Sequence, residues 1–261
     1  MASTVKGRIL EVENISKRFG SVRALREVDF SLHAGEIVGL VGDNGAGKST
    51  LIHVISGALS PDSGEIRVDG QAFSFDHPAH ARKQGIETVF QDLSLIPTLS
   101  IAENVYLGRE RFAHPPVGRW LRWMDKSHMR RDVEEGFSRL GLNLPSPKTK
   151  AAALSGGQRQ AVAIARTVLW GSHIVLLDEP TAALGVRQTE MVLAFMERLK
   201  AQEVGVVFIS HNIPQLLRVA DRIVVMRLGR TVFDGPAADV SGSDLVAMMT
   251  GAAPPKEQRE D

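Results

Sequence analysis

Apolar and polar positions alternate along residues 9 to 32, with a polar break at KRFGS (17–21), which predicts two antiparallel strands. Residues 36–41 (EIVGLV) then run almost unbroken apolar, the pattern of a strand covered on both faces of a sheet. Helical spacing takes over from Lys48, with Leu51, Val54 and Ile55 on one stripe. Residues 64–68 and 71–75 flank Asp69-Gly70, a dipeptide that favours a tight hairpin. From about residue 92 to 170 the strand-like runs vanish and helical patterns prevail, interrupted by Pro115-Pro116 and by Pro145 and Pro147. Strands return at 174–178 and 204–210 around a helix near 189–201, and a last hairpin joins 222–225 to 231–234 through Leu228-Gly229. This alternation predicts an α/β fold on a mainly parallel core sheet, with an antiparallel β subdomain and an inserted helical subdomain. The expected division is one domain over 1–251, its core at 1–91 and 171–251 and its helical part at 92–170. Residues 252–261 are expected to form a disordered tail.

Three short motifs punctuate this pattern. GDNGAGKST (42–50) joins the apolar strand to the first helix and matches the phosphate-binding P-loop. Gly42, Gly45 and Gly47 permit the dihedrals that turn successive N–H groups inward as an anion nest. The helix start adds its positive dipole end, Lys48 can reach the β- and γ-phosphates, and the Ser49 hydroxyl can ligate Mg²⁺. IVLLDEP (174–180) ends an apolar run in Asp178 and Glu179. Such an ending is a common strand terminus; downstream of a P-loop it suits a Mg²⁺ ligand at Asp178 and a water-polarising base at Glu179. His211 closes the strand at 204–210, where a polar histidine is incidental or, in this company, bonds the γ-phosphate or orients water. LSGGQRQ (154–160) opens a helix, and Ser155 with the Gly156 and Gly157 amides offers a second anion site.

Composition narrows the classes. The 261 residues are 43% hydrophobic, enough for a sizeable core. Lys+Arg 31 against Asp+Glu 30 provides no global field for nucleic acid. The absence of cysteine excludes disulfides and thiolate metal sites and suits a reducing compartment. The first residues lack the apolar stretch of a signal peptide, and no run approaches the roughly 20 apolar residues that span a bilayer. The chain is therefore expected to be soluble or held at a membrane by a partner.

With the P-loop, the LSGGQ motif and the DE strand in that order, nearly the whole chain resembles the ATP-binding subunit of ABC transporters. The resemblance implies ATP and Mg²⁺ as ligands and two cassettes meeting head to tail, each ATP lying between one P-loop and the partner's LSGGQ loop. Gly42, Asp43, Asn44, Gly45, Ala46, Gly47, Lys48, Ser49 and Thr50 would then hold the phosphates from one side, and Ser155, Gly156, Gly157 and Gln158 from the other. Phe19 would stack on adenine. Gln91 would contact Mg²⁺ or the attacking water, Glu179 would be the catalytic base, and His211 the switch histidine. Gly185 departs from the aspartate that many members carry in a loop linking the two sites.

SIAENVYLGRE (100–110), EPTAALGVRQT (179–189) and SHNIPQLLRVADRIVVMRLGR (210–230) resemble single-cassette importers of simple sugars, of the fructose or ribose kind. The resemblance implies integral membrane permease subunits, a periplasmic sugar-binding protein that selects cargo, a second ATPase subunit, no nucleic acid, and a peripheral place on the cytoplasmic face of the membrane. An importer ATPase for another small solute is one alternative; a soluble ABC-type ATPase of DNA repair or translation and an ATP-binding regulatory subunit without turnover are the rivals from other classes. Trp120 and Trp123 lie among arginines in the stretch 109–122 and just beyond it, and are expected to pack onto the helical part. Arg119 and Arg122 are expected near the groove that receives a permease helix.

Overall fold

The computed structural model describes residues 7–89, 94–112, 123–182 and 184–252. Among the described residues ten strands form two sheets. β1 (Arg8–Phe19) and β2 (Val22–His33) pair antiparallel, and β4 (Ser63–Val68) and β5 (Gln71–Phe73) extend them in the order β2-β1-β4-β5. Phe19 faces Val22 across the first turn, so the hairpin tip carries that aromatic ring outward. The second sheet runs β10-β9-β3-β8-β7-β6, built from β3 (Ile37–Gly42), β6 (Ile86–Val89), β7 (Ile174–Asp178), β8 (Gly205–Ile209), β9 (Arg222–Arg227) and β10 (Arg230–Pro236). Its pairings are parallel except β9 with β10.

Alternation explains how this sheet is covered. Val38 and Leu40 of β3, Ile174 and Leu176 of β7, and Val207 and Ile209 of β8 share one apolar layer with Leu10, Val12 and Leu32 of the antiparallel sheet. Their neighbours Ile37, Val41, Val175, Leu177, Val206 and Phe208 point into the opposite layer. Helix α1 (Lys48–Ile55) gives Leu51, Val54 and Ile55 to the first layer, the stripe its spacing predicts. The second layer is filled by α5 (Gly156–Leu169) and α6 (Val186–Ala201), through Ile164, Val192, Phe195 and Met196. It continues without a break into α3 (Ile101–Val105) and α4 (Lys126–Arg139), through Ile101, Met129 and Phe137. The helical part thus shares a core with the sheet it interrupts.

Several elements have no counterpart in the periodicity. β6 is four residues long and buries only its ends, Ile86 and Val89, too little for an alternation to register; parallel pairing to β7 creates it. Helices α2 (Pro78–Lys83) and α7 (Ile213–Val219) are short and start with proline in the first turn. α8 (Gly242–Thr250) begins with a Ser241–Asp244 capping box, a local signal that was there to be used. One expectation is corrected: Trp123 does not pack onto the helical part but is 71% exposed, beside a short bridge between Phe112 and Met124. Trp120, Arg119, Arg122 and residues 253–261 lie outside the described residues.

Candidate functional site

β3, β7 and β8 end side by side, and a cleft of about 650 Å³ opens beyond them. This is the edge of an open parallel sheet where ligands bind. Phe19 at the hairpin tip and the P-loop residues Asn44, Gly45, Ala46, Gly47, Lys48, Ser49 and Thr50 line it. Asp178, Glu179 and His211 line its other side, so residues far apart in the chain meet in one space. Gly42 and Asp43 sit below the lining, where their carbonyls accept from Lys48 Nζ at 2.7 and 3.0 Å. Gly47 caps α1 with no side-chain hydrogen bond, which leaves the first amides of the helix for an anion.

Burial shapes the charges. It holds the Lys48 ammonium below its ordinary value, against the pull of Glu179, Asp178 and Asp43. It raises Asp178, opposed by His53, Lys48 and His211, and it raises Glu179, opposed by His211 and reinforced by Asp178. Glu179 occupies a left-handed backbone conformation at φ +52, unusual for a residue with a side chain. Its N–H donates to Ile209 O at 3.1 Å, which ties the turn after β7 to the end of β8. His211 Nε2 stands 3.1 Å from Glu179 Oε1. The two are not aligned as a hydrogen bond, and that buried oxygen has no hydrogen-bond partner among the described residues.

The donor set suits Mg²⁺. Among the described residues no cluster of three or more acidic, histidine or cysteine side chains could cage a metal. The cleft instead offers the Ser49 hydroxyl, at the start of α1, and the carboxylate of Asp178. A small hard cation that takes most of its ligands from phosphates and water fits that sparse provision.

Ser155, Gly156, Gly157 and Gln158 do not line this cleft. They form the N-terminus of α5, where Gln158 N donates to Ser155 Oγ at 3.3 Å and Ser155 N donates to Gln158 Oε1 at 2.9 Å. Gln91 lies outside the described residues. Among the residues that no motif announces are Arg23, Arg26 and His53. Arg23 and Arg26 of β2 line the cleft because the hairpin folds them back beside Phe19. His53 lies within electrostatic reach of Asp178. Its spacing of four from Ser49 on α1 was the available signal.

A profile described as "ABC transporter" matches residues 25–182. The fructose import ATP-binding protein FrcA of Rhizobium meliloti is 47% identical over 251 residues, covering 95% of this chain and 96% of that protein. The xylose/arabinose import ATP-binding protein XylG of Sulfolobus acidocaldarius is 41% identical, covering 94% and 95%. The ADP conformation of MJ1267, an ATP-binding cassette of an ABC transporter, superposes with a TM-score of 0.80 at 27% identity, over 94% of this chain and 100% of that one. The dimeric cassette MJ0796 bound to ADP and Pi gives 0.69 at 27%, over 87% and 98%. A cleft with a P-loop on one wall and two carboxylates on the other is what such a likeness requires, and this chain belongs to the ABC transporter family as an ATP-hydrolysing cassette.

Proposed function

We propose that this ATPase drives uptake of a monosaccharide, as one of two identical subunits on the cytoplasmic face of a membrane transporter. The reading rests on full-length likeness to subunits named for import of fructose and of xylose and arabinose. Among the described residues no helix is long and apolar enough to cross a membrane, so permease subunits would supply the path and a periplasmic binding protein the cargo. In one chain the α5 tip lies outside the cleft, which supports a head-to-tail pair in which each tip completes the partner's site. The dimeric form of MJ0796 supports the pairing itself.

Within each site Phe19 stacks on adenine and Lys48 neutralises the β- and γ-phosphates beside the loop amides. Ser49, Asp178 and Gln91 would hold a Mg²⁺, which when bound would neutralise charge on the phosphates. Glu179 takes the proton of the attacking water, its half-buried carboxylate lining the cleft beside His211. His211 fixes the carboxylate from the side of β8. Binding closes the pair and hydrolysis reopens it. Glu179→Gln is expected to keep ATP binding, accumulate a closed dimer and lose about 10²–10⁴-fold in turnover, the range a general base supplies. Turnover within threefold of wild type would remove Glu179 from this role. Tracer uptake of fructose, ribose, xylose and arabinose in a strain lacking this chain tests the cargo class; unchanged uptake of every monosaccharide would overturn it.

A further inference from the structure

In the proposed pair, the loop after Glu179 serves one nucleotide and the α5 tip of the same chain serves the other. Within the chain these two parts are in contact. Gly185 starts α6 from an extended conformation and has no side chain to cap the helix. Gln188 supplies the cap instead: its Oε1 accepts from Gly185 N at 3.1 Å. Between Glu179 and Gly185 two backbone bonds tie the described residues together, Ala182 N donating to Glu179 O at 3.1 Å and Leu184 N to Thr181 O at 3.3 Å. On the other side Gln188 meets the α5 tip. A Cβ placed on Gly157 would lie 2.9 Å from Gln188 Cβ and 3.1 Å from its Cα, and one on Gly156 would lie 2.9 Å from Leu184 Cδ2. Glycines at both places let the tip rest on the first turn of α6 with no slack. The far side of that turn is held too, since Thr181 Oγ1 donates to Gln215 Oε1 at 2.9 Å and Arg218 pairs with Glu190 at 2.7 Å.

We infer that Gln188 is a positioning residue that couples the two nucleotide sites, transmitting displacement of the α5 tip to the turn that carries Glu179. This rests on the head-to-tail reading above and deepens it. Close-packed contacts pass on a shift, whereas a solvated loop absorbs it. The hydrogen bond to Gly185 is the step that a substitution can cut while the packing against Gly157 stays. Gln188→Met keeps the bulk and removes the acceptor; Gln188→Glu restores an acceptor for the same N–H.

The test is the ATP dependence of hydrolysis by the assembled transporter, where the subunits are already held together and assembly adds nothing to the curve. Two coupled sites give a Hill coefficient between about 1 and 2. The wild type and Gln188→Glu are expected to share a coefficient clearly above 1. Gln188→Met is expected to fall toward 1, with maximal turnover and the affinity for Mg²⁺-free ATP within about twofold. A merely structural cap would move the thermal midpoint and leave the coefficient unchanged. If Gln188→Met does not unfold cooperatively, Gln188→Ala replaces it, having no bulk to misplace. A cooperative wild type with an equally cooperative Gln188→Met or Gln188→Ala overturns the role of Gln188 alone. A non-cooperative wild type overturns both this inference and the paired-site reading beneath it.

Discussion

Gly45→Ala and Gly47→Ala place the same methyl group two residues apart in the phosphate loop, and the structure assigns them different costs. Gly47 has φ +106, and a Cβ there would lie 2.6 Å from Ala24 O and 3.0 Å from Leu25 Cδ2. The Ala24 carbonyl belongs to β2 and cannot retreat freely. Arg26 N donates to Gly229 O at 2.8 Å and Gly229 N donates to Ala46 O at 3.0 Å, which binds β2, the β9–β10 turn and the loop into one unit. The dihedral costs about 1–2 kcal/mol for an L-residue, and the unrelieved contact about 1–3 kcal/mol more. Gly45 also has a positive φ, +78, but nothing lies within 4 Å of its Cβ position, so it carries the dihedral cost alone. If the loop relaxes by surrendering its nest geometry, each 1.4 kcal/mol removes about tenfold in affinity. Gly45→Ala should then weaken nucleotide binding about 5- to 30-fold, and Gly47→Ala a further 5- to 150-fold or so. Equilibrium titration with a fluorescent ATP analogue measures the affinities, and urea unfolding of each variant shows how much strain is stored in the fold instead. Equal weakening by the two substitutions, with equal unfolding midpoints, would refute the steric reasoning.

Arg222→Met should lower stability by about 2–4 kcal/mol, because Arg222 donates to Glu36 Oε1 at 2.8 Å and also to Asp234 and Ser31 O, with both carboxylates mostly covered. Calorimetry should show the midpoint down by roughly 4–15 °C, and a double mutant with Glu36→Gln should lose less than the two singles combined; strict additivity would contradict a shared pair. Glu103 has its carboxyl lowered to about 2 by the hydrogen bond from Lys126 and then by those from Ser100. A depressed acid stabilises the fold above its ordinary value of 4.5 and loses that contribution as pH falls toward about 2. Because the pair is partly solvated, this contribution is about 1 kcal/mol, and Glu103→Gln should flatten the acid limb of stability in that window. An unchanged limb would exclude Glu103 as its source.

Local patterns carried a large part of this protein. The unbroken apolar run of β3 needs cover on both faces, and the glycines and Lys48 that follow it can build one kind of turn. The end of β7 in Asp178-Glu179 and the Ser155 start of α5 are equally local, since capping and strand burial depend on neighbours a few residues away. Pairing across the chain is different. β3 lies between β8 and β9, more than 160 residues downstream, and nothing in the run 37–42 specifies those neighbours. The same holds for Leu228-Gly229 closing on the phosphate loop, for Arg23 and Arg26 entering the cleft, and for Gln188 lodging between Gly185 and Gly157. Such contacts cost loop-closure entropy that only the burial of the complete core offsets. Residue spacing therefore determined which pieces of chemistry this chain carries, while the packed fold alone decided which of them face one another.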